Sequence, residues 1–90
     1  MILWVFMKKI IVNSGEKHIG VTGEKIVVLP GGDCHVYGAS SPIITVRPGG
    51  LCYTYDSSIP KVKVHFGGGC FSFDSSSPKI TRINRGGKKK

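Results

Sequence analysis

Gly49-Gly50-Leu51-Cys52-Tyr53-Thr54-Tyr55-Asp56-Ser57-Ser58-Ile59-Pro60-Lys61-Val62-Lys63-Val64-His65-Phe66 is one complete copy of a unit that recurs along this chain. Outward from it, the cysteines fall at Cys34, Cys52 and Cys70, a step of 18 residues each time. Pro42, Pro60 and Pro78 keep that step, as do Ile44, Val62 and Ile80. Gly31-Gly32 and Gly67-Gly68 repeat the opening pair. A weaker copy covers 13–30, with Ile26 and Val28 in the places of Ile44 and Val46, and Arg85-Gly86-Gly87 opens a further copy that stops. A fixed period of this length marks a stack of identical supersecondary units.

Each copy has one grammar: a Gly-Gly turn, a short strand such as 52–55, a hydroxyl-rich turn ending in proline such as 56–60, and a second strand such as 61–66. The strands alternate with period 2. The Gly, Asp, Ser and Pro clusters are turn formers. Nothing has helical period. The expected fold class is all-β. A short β-solenoid of four 18-residue coils, two strands per coil, is favoured over an antiparallel meander of repeated hairpins. In a solenoid equivalent strands stack in parallel about 4.8 Å apart, so like residues meet in columns. Thr22, Ser40, Ser58 and Ser76 would form a hydroxyl column, and Cys34, Cys52 and Cys70 a thiol column. The domain reading is 1–12 as an N-terminal strand or cap, 13–84 as the repeat domain and 85–90 as a basic tail.

Ninety residues make at most one domain. A chain this short buries only about 60% of its unfolded surface, so its core needs a very regular fold or an oligomer to support it. Thirteen Lys and Arg against five Asp and Glu give +8, which favours polyanionic partners. Three cysteines cannot close a disulfide framework, which points to a reducing, cytoplasmic compartment. No apolar run approaches the ~20 residues a membrane helix needs, and no membrane partner is expected. The apolar start, Met1-Ile2-Leu3-Trp4-Val5-Phe6, lacks the basic region and cleavage site of a signal peptide.

In the second strand, Ile26/Val28, Ile44/Val46 and Val62/Val64 alternate with Lys25, Thr45, Arg47, Lys61, Lys63 and His65. The first set is expected in the core and the second in water. Arg82 breaks the pattern in the last unit, as terminal coils often do. The first strand is ambiguous: one parity holds His35/Tyr37, Tyr53/Tyr55 and Phe71/Phe73, and the other holds Cys34/Val36, Cys52/Thr54 and Cys70/Ser72. Aromatics offer the larger burial, yet cysteines favour the interior. Neither side is polar, so this sheet is expected to be covered on both sides, by the core and by another subunit. The expected self-association face is His35, Tyr37, Tyr53, Tyr55, Phe71 and Phe73, joined by Trp4, in a dimer or trimer.

No catalytic constellation can be assembled. Cys34 and His35 are adjacent in a strand and point to opposite faces. His18, His35 and His65 take different places in the unit, and Asp56 and Asp74 read as turn residues. A straight thiol column is poor geometry for zinc, and the Gly-Gly turns match no phosphate loop. No metal and no cofactor are expected. The basic set Lys25, Arg47, Lys61, Lys63 and Lys79, extended by Arg85, Lys88, Lys89 and Lys90, can neutralise phosphates or can simply be a solvated, edge-protecting face. Two functions compete: a non-enzymatic, self-associating structural or protein-binding module, and a binder of nucleic acid, an acidic protein surface or another polyanion.

Overall fold

The computed structural model describes residues 8–83 and contains strands only. They are β1 (Lys8–Val12), β2 (Lys17–Gly20), β3 (Glu24–Val28), β4 (Asp33–Val36), β5 (Ile43–Val46), β6 (Leu51–Thr54), β7 (Lys61–His65), β8 (Gly69–Ser72) and β9 (Lys79–Ile83). Every pairing is parallel, between strands two apart in the chain. Odd strands build a five-stranded sheet ordered β1-β3-β5-β7-β9, and even strands a four-stranded sheet ordered β2-β4-β6-β8. This is a β-solenoid of about four turns, and the meander is excluded.

The columns follow the repeat. Ile26, Ile44, Val62 and Ile80 are in register, as are Cys34, Cys52 and Cys70. The core is the narrow space between the sheets. It is filled by Val12, Ile26, Val28, Ile44, Val46, Val62 and Val64 from one side and by Cys34, Val36, Cys52, Thr54 and Cys70 from the other. Pro42, Pro60 and Ser58 close the third wall and are also buried. At the last coil two of the inward columns end in polar, exposed residues. Ser72 follows Thr54 in its column, and Arg82 follows Val64. Thr54 Oγ1 and Ser76 Oγ lie 2.9 Å apart, which satisfies the buried threonine hydroxyl. The hydroxyl column of the corner does not bond along its length as its spacing suggests. Ser58 Oγ instead donates to Tyr55 O within its own coil, at 2.8 Å.

One element departs from the period. Lys8 faces Glu24 and Lys17 faces Asp33, so the first coil advances 16 residues, whereas later coils advance 18. The shortening lies between β2 and β3, because β3 is already in the 18-residue phase with β5. Glu24 does the work of the missing residues. Its carboxylate accepts the Val21 N–H at 3.1 Å and pairs with His18 Nε2 at 2.9 Å. Near-complete burial pushes the Glu24 carboxyl up. The His18 hydrogen bond, the Val21 N–H and the His18 and Lys8 charges more than offset that, and the net value lies below the ordinary one.

The Gly-Gly corner has two separate causes. Gly49 sits at φ 87°, a region that side chains with a Cβ rarely enter. Gly50 has no such φ. A Cβ there would lie 2.9 Å from Val28 Cγ1 and 3.0 Å from Val28 O, in the coil before. The first glycine makes the turn, and the second lets successive coils close on each other.

Candidate functional site

With the interior taken by small side chains, the two outer sheet faces carry the large and charged ones, and they differ sharply. The even-strand sheet resolves the ambiguity of the first strand: Cys, Val and Thr point inward, and the aromatic parity points out. One side of the sheet therefore packs on the core, and the aromatic side is the outer face of the coil. Two aromatic columns run along the rod. His35, Tyr53 and Phe71 form one, with ring centroids 4.8 and 5.5 Å apart. Tyr37, Tyr55 and Phe73 form the other, at 4.7 and 5.1 Å. All six rings lie nearly parallel to their neighbours, with interplanar angles of 2–23°. The in-register parallel ladder sets this geometry, because a strand spacing of about 4.8 Å suits offset stacking.

The rings therefore spend their faces on one another and present their edges outward. Tyr37, Phe71 and Phe73 remain 43–47% exposed. Ile19, in register with His35, and Val21 continue the apolar surface into the first coil, at 54% and 46% exposure. Leu51 and Phe71 also crowd the space above Gly69. Asp33 sits at the start of β4, while Asp56 and Asp74, both at φ 57°, directly follow Tyr55 and Phe73 in the chain. These two carboxylates brace successive corners: Asp56 accepts the Gly38 N–H at 2.9 Å, and Asp74 accepts the Asp56 N–H at 3.3 Å. They are structural turn residues, as their spacing implies.

Within the aromatic face His35 is the histidine. Burial among the rings lowers its pKa, the Lys17 charge lowers it further, and Asp33 partly opposes this. Tyr55 Oη lies 3.4 Å from His35 Nδ1. The Tyr55 phenol is held above its ordinary range by desolvation and by Tyr37, Tyr53 and Asp74.

The odd-strand sheet turns a different surface outward. Lys25, Ile43, Lys61 and Lys79 form one column, and Val27, Thr45, Lys63 and Thr81 the next. Arg47 follows β5 and is also exposed. Of the five basic residues read from the sequence as one face, Lys25, Lys61, Lys63 and Lys79 share this sheet, although not a single column, and Arg47 lies just beyond the end of β5. Ile43 interrupts the lysine column, and its half-buried side chain lies in a shallow hollow of about 310 Å³ lined by Lys25, Lys61, Lys63 and Lys79. Among the described residues these four lysines make no ion pair; the one pair found is His18–Glu24.

The thiol column is inward and continuous. Cys52 is held as a thiol by hydrogen bonds with Cys34 and Cys70 and by burial. Cys70, at the end of the column, is drawn down by the Cys52 hydrogen bond, against its burial and with help from the Arg82 charge. Among the described residues no group of three or more His, Cys, Asp or Glu side chains converges as a metal site would require. Trp4, Arg85, Lys88, Lys89 and Lys90, which the sequence assigned to the two faces, lie outside the described residues. No protein-family model, curated protein or solved structure matches this chain.

Proposed function

We propose that this protein is a non-enzymatic, rigid β-repeat scaffold that associates with a second copy of itself through the aromatic face. The observation that carries this reading is the six-ring array standing edge-out on the even-strand sheet. Contiguous exposed apolar surface of this kind is rare on proteins that act alone. Rings already stacked along the rod lose little further freedom on docking, so association costs less side-chain entropy than it would for flexible residues. Sugar or base stacking is the weaker reading, because those ligands need ring faces and here the faces are occupied. A closed dimer places the aromatic sheets of two copies face to face about 10 Å apart, with the columns interdigitating. The cytoplasmic setting inferred from the free thiols belongs to the same proposal.

The expected result in light scattering is a dimer or trimer at micromolar concentration. Tyr55→Lys is expected to give a folded monomer, since Tyr55 points away from the core. A wild type that stays monomeric at high micromolar concentration rejects the reading.

Association is also expected to weaken on acidification. The neutral form of His35 is the favoured one in the fold, so its contribution is complete above the ordinary histidine value of about 6.5. It is lost as pH falls through the lowered value, where a docked face must hold a buried charge. The dimer mass measured at pH 7.5 and 5.0, with His35→Phe alongside, checks this. The variant removes the pH dependence if His35 is its source, whereas His18 and His65 would leave it intact.

The basic face supports a second reading, a binder of nucleic acid or another polyanion using Lys25, Arg47, Lys61, Lys63 and Lys79 with the tail Arg85, Lys88, Lys89 and Lys90. Its supporting observation is the set of lysines without acidic partners among the described residues.

A further inference from the structure

The hollow on the odd-strand sheet is not a uniformly basic surface. Its floor is apolar, made by Ile43, and its rim is cationic. In the column across the rod, Lys25 stands one strand to one side of Ile43, and Lys61 and Lys79 stand one and two strands to the other. Adjacent strands are about 4.8 Å apart, so the flanking cations bracket the isoleucine at roughly 10 Å. Lys63 guards the neighbouring column beside Thr45. The other four strands of this sheet put lysine in the first column (Lys9, Lys25, Lys61 and Lys79), whereas β5 has a short aliphatic chain, and that substitution creates the depression.

We infer that this hollow binds an extended acidic peptide segment in which an apolar side chain is flanked by carboxylates two residues to either side. Four considerations favour that occupant. A peptide in extended form places alternate side chains on one face about 6.7 Å apart. An acid-x-apolar-x-acid segment therefore drops its central side chain onto Ile43 and brings its acids within reach of flexible lysine stems. The rim is lysine, a compact ammonium suited to carboxylates, with none of the arginine that grips phosphate in two places. The hollow also lacks an aromatic residue on which a nucleobase could stack; the aromatic rings described above all sit on the opposite face. No acidic side chain lines the hollow. Of the nearby carboxylates, Glu24 is turned in to His18 and Val21.

This proposal rests on the second reading, that the basic sheet is a binding face, and is independent of self-association. The experiment measures binding of three fluorescein-labelled probes at low salt by anisotropy: the peptide Glu-Thr-Leu-Thr-Glu within a neutral Gly/Ser frame, the same peptide with Ser in place of Leu, and an oligothymidylate. The leucine peptide is expected to bind about tenfold more tightly than the serine peptide, the difference that burying one aliphatic side chain supports. Lys61→Glu with Lys63→Glu is expected to abolish binding, and Ile43→Ser to erase the preference for leucine, while both leave the circular dichroism unchanged because these side chains lie outside the core. Lys17→Glu, on the other sheet, is the charge control and should leave binding intact. Equal affinity for all three probes overturns the inference and leaves the general polyanion reading standing. Binding of none of them overturns both. Binding unaffected by Lys61→Glu with Lys63→Glu places the site elsewhere and overturns the inference as well.

Discussion

Val62→Asp is expected to abolish the fold. Val62 is 2% exposed, in a column between Ile44 and Ile80, and the structure offers a carboxylate there no cationic partner. An isolated charge moved from water into such a site costs many kcal/mol in principle and is relieved only by protonation or by unfolding. Small domains have a total stability of about 5–15 kcal/mol, and a core this thin belongs near the lower end. In a solenoid the damage also spreads, since each coil is supported mainly by its neighbours. The neighbouring change Lys63→Asp reverses a charge on the outer face and is expected to move stability by no more than about 0.5 kcal/mol. Far-UV circular dichroism and a denaturant titration of the two variants check the contrast. Equal tolerance of both would mean that the strand faces the other way.

Gly50→Ala is expected to destabilise by about 3 kcal/mol, at the upper end of overpacking substitutions. The added methyl would meet Val28 Cγ1 at 2.9 Å and two carbonyl oxygens, Val28 O at 3.0 Å and Arg47 O at 3.2 Å. A side chain can rotate away, but backbone of the adjoining coil cannot do so without parting the ladder. Gly49→Asn is expected to be milder, about 1 kcal/mol, because asparagine tolerates positive φ and its Cβ would press only on Pro30, at 3.3 Å from Cβ and 3.4 Å from Cα. A shift of 1 kcal/mol moves the melting temperature of a domain of this size by roughly 4–8 °C, so thermal melts separate the two. Similar losses at both positions would contradict the distinct roles of the two glycines.

Much of this architecture is legible in the chain itself, because a period exposes columns. The parity of the second strand, the Cys ladder and the polar final coil all follow from residues 18 apart, and each has its place in the structure. The parity of the first strand does not follow. Its two faces are both non-polar, and what decides between them is the width of the interior, which no single strand reveals. The gap between the sheets is narrow: beside Gly20, Ile26 Cδ1 comes so close that a Cβ would lie 2.7 Å from it, and the isoleucine would have to turn away. Stacked Cys, Val and Thr fit that gap; Tyr and Phe do not. The shortened first coil was hidden because the pattern of Ile26 and Val28 stays in phase with later copies while Lys17 and His18 have already shifted. Of the basic face, the lysines stand out in the sequence, but the role of Ile43 emerges only when its outward position beside Lys25 and Lys61 is seen.

That shortened coil has a bearing on how the chain finds its own alignment. A polymer of interchangeable units is prone to frame slippage, in which one segment pairs with the wrong neighbour and every later one follows. Three of the steps here are near copies and would accept such a shift. The segment from Lys17 to Glu24 would not, because its corner has a different length and its Glu24 fits only beside His18 and Val21. It acts as an index mark from which the following turns are counted, giving an otherwise translationally symmetric rod a single zero.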